Sequence, residues 1–373
     1  MKTYRTIATV AALALAGHLT SHPPFSGLPF VILPLLVWLQ RRDGLGAPWY
    51  VFVFFLGVGV KIPLAVIDVG SGFALAATIW LGYAFVAALV GTPPRCVKGS
   101  LAMSSWVFAM LSLPFLGFTF VAPPLSAAGW FYPETGVLGV LLIVWCAASI
   151  VEAVRSLRVV PVLAPAAIAL ALNVHYLLSP PPPSSIAALS MRVPQPPDNL
   201  AKSILAGVRY APAVRGTFQQ GARTVVLPEN VLGFPTAGQI SILGIPDGAT
   251  LVAGGVAHVP GNDAFQKGVW LLPQRVFYPA IQPIPVIEPG LRPHWSALHK
   301  VANISGNPYS LLVCFEASTS LPIYHLDYGR PIILVGNGWW DRSGIMDIEV
   351  GLAHSWARLF RSSLAISRGF PQA

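Results

Sequence analysis

The chain has 373 residues, of which 54% are apolar and only 10% charged, with a mean hydropathy of +0.66. About a quarter of an ordinary soluble domain is charged, so a wholly water-soluble protein is excluded, and so is a disordered one. The net charge of +9 is spread along the chain, with nine Lys/Arg against four Asp/Glu in residues 1–180 and fourteen against ten in 181–373, so no nucleic-acid-binding stripe forms.

From Ile7 to Leu178 seven apolar segments follow one another, at about 6–20, 25–40, 48–67, 72–91, 101–121, 136–152 and 159–178. Most approach the roughly 20 residues that cross a bilayer, and almost no charge falls inside them. Residues 1–178 are therefore expected to be a transmembrane domain of about seven helices. Lys2/Arg5, Arg41/Arg42, Arg95/Lys98 and Arg155/Arg158 make every second loop basic, whereas Ser21–Pro24, Asp68–Ser71 and Ala122–Glu134 hold no Lys or Arg. The positive-inside rule puts the basic loops in the cytoplasm and everything after the seventh segment on the outer side. Met1–Arg5, the apolar run behind it and Ala14-Leu15-Ala16 also have the form of a signal peptide. Its cleavage would leave six helices and the same side for the rest.

Lys61 and Asp68 are ionisable residues within or at the end of a membrane segment, seven apart and so on roughly one helix face. Without a second intramembrane carboxylate to make an ion path, they read as boundary residues, Lys61 snorkelling to the headgroup layer. His18 and His175, near the outer ends of their segments, read as interfacial.

Residues 179–185, Ser-Pro-Pro-Pro-Pro-Ser-Ser, form a semi-rigid spacer and a domain boundary. In residues 186–373 short strand-type runs alternate with helical patterns, an α/β signature. Strands are expected within Ile186–Val193 and at Thr224–Leu227, Thr250–Val259, Gly268–Leu272, Ser310–Val313 and Ile332–Val335. One helix is expected over Asp198–Gln220, with Asp198 as N-cap, and another over about 347–361. The strands are apolar runs rather than alternations, so the sheets should be covered on both faces.

Three of these strands end in chemistry-bearing residues, where α/β folds place their sites. Val225-Val226-Leu227-Pro228 leads to Glu229, Leu311-Leu312-Val313 to Cys314-Phe315-Glu316, and Leu334-Val335-Gly336 to Asn337-Gly338-Trp339-Trp340. Cys96, Cys146 and Cys314 have neither disulfide-framework nor zinc spacing, and no metal or cofactor is expected.

The order Pro-Glu, then Cys-aromatic-Glu 85 residues later, then an Asn/Trp loop and a helix resembles the carbon–nitrogen hydrolase (nitrilase) superfamily. It resembles most its membrane branch, the apolipoprotein N-acyltransferases and the conjugal transfer TraB family. The resemblance covers about 186–368. It implies an α-β-β-α sandwich, here shorter at its carboxy end than in the acyltransferases. It further implies Glu229 as general base, Cys314 as nucleophile with Glu316 beside it, and Asn337, Trp339 and Trp340 on the substrate side. The family's third catalytic residue is a lysine. One register puts Gln274 there, with Arg275 next to it; another recovers a family glutamate as Glu288 but puts Ala280 at the lysine position. Lys267 lies on the preceding turn or strand.

In this chemistry a thiolate attacks an acyl carbonyl, the carboxylate takes the proton, and the cation steadies the oxyanion. Losing one such donor costs about 10²- to 10³-fold in rate, so Gln274 would imply reduced or altered catalysis. The resemblance implies a TraB-like inner-membrane protein with its nitrilase-type domain on the periplasmic side. Membrane lipid and a lipoprotein or the conjugation machinery would be its partners. The alternative is an acyltransferase moving an acyl group from phospholipid to a protein amine through a Cys thioester.

Overall fold

The computed structural model describes residues 2–20, 26–44, 48–112, 123–193, 200–258, 265–282 and 301–371. The chain forms two compact units. One comprises residues 1–181 with 318–323 and 342–361, and the other 182–317, 324–341 and 362–373. The first boundary falls inside the proline run. Two later stretches of the α/β region gather with the helices, a division that local composition does not signal.

In the first unit the helices are α1 (Lys2–Leu19), α2 (Leu33–Arg42), α3 (Trp49–Val58), α4 (Ile62–Asp68), α5 (Phe73–Gly91), α6 (Ser100–Ser112), α7 (Ala127–Phe131), α8 (Val137–Ser156) and α9 (Val160–Leu178). The expected segment 101–121 lies partly outside the described residues. Among the described residues α5, α8 and α9 are long and apolar enough to cross a membrane. The pair α3 and α4 makes a fourth if counted as one span bent by 42°. The bend falls at Gly59–Lys61, and Pro63 sits in the first turn of α4, where its missing N–H costs no helical bond. α5 and α9 leave Phe73, Phe85, Leu170 and Leu177 exposed. A surface of that composition is costly in water and suited to lipid.

The stretch 342–361 carries a further helix of this unit, Met346–Leu359. It is held to the other helices by Arg358, whose guanidinium lies 4.9 Å from the Trp130 ring and 4.3 Å from that of Tyr176. The same group donates to Asn173 Oδ1 at 2.6 Å and to the Gly129 carbonyl at 3.2 Å. Arg361 adds an ion pair with Glu134 at 3.3 Å.

The second unit is built on β1 (Ala187–Ala188), β2 (Met191–Arg192), α10 (Leu200–Gln219), β3 (Thr224–Leu227), α11 (Ala237–Leu243), β4 (Thr250–His258), β5 (Phe265–Leu272), β6 (Val276–Pro279), β7 (Val301–Ile304) and β8 (Asn307–Val313). The elements α12 (Pro322–His325), β9 (Ile332–Gly336), α13 (Met346–Leu359) and β10 (Leu364–Phe370) complete the chain order. The strands make two five-stranded mixed sheets, ordered β1-β3-β4-β5-β6 and β2-β10-β9-β8-β7. In the first, β1, β3 and β4 are parallel while β5 and β6 run back. In the second, β2, β10, β9 and β8 are parallel and β7 is reversed. β3 and β9 are buried throughout, as apolar runs without alternation require. α10 covers the first sheet with Tyr210, Val214 and Phe218, which pack on Val225, Leu227 and Leu251. The expected N-cap Asp198 lies outside the described residues.

Candidate active site

β3 and β4 run parallel in one sheet and β8 and β9 in the other, and carboxyl ends of parallel strands are where open α/β sheets form clefts. Glu229 follows β3, Cys314 follows β8 and Asn337 follows β9. Two links bring them together. The Glu229 N–H donates to the Gly336 carbonyl at 3.3 Å, and Gly336 follows Val335, the register partner of Val313. Cys314 and Glu229 therefore flank the same end of β9. The approach of Glu229 to β4 requires Gly254, since a Cβ there would lie 2.2 Å from the Glu229 Cα.

Two non-glycine residues at these ends adopt left-handed backbone conformations, Asn230 at φ 54° and Cys314 at φ 48°. Asn tolerates that region; for Cys it is strained, and such strain gathers at functional sites. The cysteine ends its strand on a sharp turn, and its side chain is buried.

The cation at the site is Lys267. Its Nζ stands 2.8 Å from Glu229 Oε1, with side-chain exposures of 6% and 2%. Lys267 lies near the start of β5 opposite Val256, and because β5 is antiparallel to β4 its start meets the carboxyl ends of β3 and β4. Gln274 lies in the exposed turn between β5 and β6, where its side chain donates to Thr250 Oγ1 at 3.5 Å. Arg275, in the same turn, reaches the Pro235 carbonyl at 3.3 Å. Neither motif register reveals the lysine because the segment is read there as a linear motif, whereas the cation is delivered by strand pairing. One signal was available: Lys267 is the only Lys or Arg between Arg223 and Arg275.

Glu316 is buried beneath the cysteine turn. Its carboxylate accepts the N–H groups of Val313 at 2.8 Å, of Gln282 at 3.3 Å and of Ile281. It thus ties the end of β8 to the strand exit after β6. Burial pushes its carboxyl up to about 7, opposed by the three N–H donors and by Lys267. The apolar groups Ile281, Leu311 and Val313, with Tyr278 and His325, line a small cavity against it.

Asn337 is buried, and its Oδ1 accepts the Trp339 N–H at 3.4 Å; Trp339 and Trp340 are half-buried in the following turn. Glu288 lies outside the described residues. No group of three or more His, Cys, Asp or Glu side chains among the described residues could hold a metal ion.

A buried glutamate paired with a lysine, and a strained cysteine at a neighbouring strand end of two mixed sheets, form the candidate site of the α/β unit. In sequence the chain is TraB-like. It is 30% identical over 165 residues to a probable conjugal transfer protein TraB of Sinorhizobium fredii, covering 39% of this chain and 42% of that protein. Conjugal transfer protein TraB of Agrobacterium fabrum matches at 30% over 165 residues, 39% of each chain. The match thus spans about two fifths of these relatives' length.

Among solved structures the chain is similar to a variant of an amidase of the nitrilase superfamily from Nesterenkonia. That match has a TM-score of 0.37 and 17% identity over 49% of this chain and 75% of the amidase. It is also similar to a glutamine-dependent NAD+ synthetase from Acinetobacter baumannii, at TM-score 0.32 and 13% identity over 42% and 32%. No family model matches the chain.

Proposed function

We propose that the chain is a multi-pass inner-membrane protein serving conjugal transfer, whose α/β unit carries out thiol-dependent acyl chemistry on the outer side of the membrane. The buried Glu229–Lys267 pair carries the catalytic reading. Glu229 takes the proton of the Cys314 thiol; the thiolate attacks an acyl carbonyl, forming an S–C bond; Lys267 steadies the tetrahedral oxyanion. Collapse breaks the bond to an amine or alkoxide, which leaves with the proton held by Glu229. Water or an amine then resolves the thioester. With Lys267 at this position, the chemistry needs no cation from Gln274.

The membrane reading is supported by the three apolar helices, the bent pair, the exposed apolar side chains of α5 and α9 and the alternation of basic loops. Membrane lipid and components of the transfer machinery are the partners this reading implies.

The test is a pre-steady-state assay with p-nitrophenyl octanoate on protein with Cys96 and Cys146 replaced by Ser. A burst of p-nitrophenolate approaching one equivalent, absent in Cys314→Ala, is expected. No burst, or one that survives in Cys314→Ala, removes the thiol-enzyme reading.

A further inference from the structure

The inner face of α10 is accounted for by the α/β unit itself. Ala206, Tyr210, Val214 and Phe218 are buried against the first sheet and belong to its core. The outer face of the same helix is apolar as well. Ile204, Leu205 and Val208 are 39%, 65% and 53% exposed, and Pro212 beside them is exposed too. At 3.6 residues per turn these four cover about 100° of the helix circumference, and none of them belongs to that core. A helix face turned to water ordinarily carries charge, so a contiguous apolar stripe there marks a contact surface.

The charges around the stripe say what it contacts. α10 holds Lys202, Arg209 and Arg215 and no Asp or Glu. Lys202 and Arg209 are exposed and follow Leu205 within about 60° on one flank of the stripe. Arg215, further along, donates to the Ile242 carbonyl. An apolar stripe edged by long cationic side chains fits hydrocarbon lying beneath negative headgroups. The stripe enters the interface, and the ammonium and guanidinium groups reach back to phosphate. Two copies of this face would set cation against cation, whereas anionic phospholipid supplies the complement.

We propose that the outer face of α10 docks on anionic phospholipid, the helix lying in the bilayer interface with Ile204, Leu205, Val208 and Pro212 against the upper acyl carbons. The inference rests on the membrane reading of the proposed function for the bilayer that the chain meets; the docking face follows from α10 alone. Only residues 179–199 separate α10 from α9, one of the helices apolar enough to cross a membrane. On that reading the helix is tethered to lipid and a modest intrinsic affinity suffices.

Nitroxide collision accessibility tests it on the full chain in proteoliposomes, with Cys96, Cys146 and Cys314 replaced by Ser and one nitroxide attached at Val208→Cys. Oxygen concentrates in the bilayer and a nickel chelate in water, so the ratio of their collision rates reads immersion. In vesicles one quarter phosphatidylglycerol in phosphatidylcholine, that ratio should exceed the ratio at Asn307→Cys by at least about fivefold. Asn307 is an exposed position on the second sheet. In pure phosphatidylcholine, or with Lys202→Gln and Arg209→Gln together, the excess should fall at least about threefold. If Val208→Cys does not fold, Leu205→Cys carries the nitroxide with the same expectation. A nitroxide on α10 as open to the nickel chelate as that at Asn307→Cys overturns the proposal. So does one closed to both reagents and broadened by a neighbouring nitroxide, which gives the face to a second copy. Immersion indifferent both to phosphatidylglycerol and to the two cations overturns it too. An alkaline carbonate wash separates this result from the membrane reading. A chain that stays in the vesicles with a water-exposed nitroxide defeats the docking alone, and a chain stripped from them after showing an immersed nitroxide defeats the membrane reading alone.

Discussion

Lys267 Nζ lies 2.8 Å from Glu229 Oε1, in a pair almost wholly withdrawn from solvent and assembled from the end of β3 and the start of β5. Breaking a buried pair leaves one uncompensated charge, which costs about 3–5 kcal/mol. Lys267→Met and Glu229→Leu should each lower the thermal unfolding midpoint markedly, whereas the double replacement should recover most of the loss because no lone charge remains. All three should lose Cys314 acylation by at least about 10²-fold. Single and double variants of equal stability would show that the pair is not coupled.

Gln274 sits in an exposed turn with one long side-chain hydrogen bond. Gln274→Lys and Gln274→Ala should change stability by no more than about 0.5 kcal/mol, the usual range for surface sites. Neither should alter the acylation rate by more than about twofold. Acceleration by Gln274→Lys would place the oxyanion cation in the turn and not on β5.

Glu316 makes stability pH-dependent. Its carboxyl is raised by burial from 4.5 to about 7, so the folded chain retains a proton that the unfolded chain releases in that interval. The resulting stabilisation is complete below about pH 4.5 and is lost as pH rises through about 7, a change on the order of 3 kcal/mol. Glu316→Gln should flatten the fall in unfolding midpoint between pH 5 and pH 8. A variant with the wild-type slope would assign the pH dependence to other groups.

Topology is tested at the proline run. On the proposed orientation, with the basic loops inside, an alkaline phosphatase fused after Ser185 should be active. A fluorescent protein of the kind that matures only in the cytoplasm should stay dark there; fluorescence would invert the arrangement.

What could be read from the residues follows from how local each signal is. Glu229 and Cys314 stand in short contiguous motifs behind buried strands, so strand and chemistry announce each other, and both lie at carboxyl ends as read. Lys267 carries no motif, and only the antiparallel register of β5 on β4 delivers it to Glu229. β6 and β7 are four residues each, too short to show a period, and β6 ends in Pro279. Asp68 looked like a boundary charge because the N–H groups it accepts, those of Arg342 and Ser343, lie far along the chain, and a main-chain N–H leaves no mark in a sequence.

The central claim is that Glu229, Lys267 and Cys314 act together on an acyl carbonyl. Intact-mass analysis after brief exposure to p-nitrophenyl octanoate, with Cys96 and Cys146 as Ser, tests it most directly. One octanoyl group should appear on Cys314 in the otherwise native chain and in Gln274→Lys to the same extent. It should be missing in Glu229→Gln and Lys267→Met over the same interval. An adduct that persists in Lys267→Met, or that maps away from Cys314, would contradict the account.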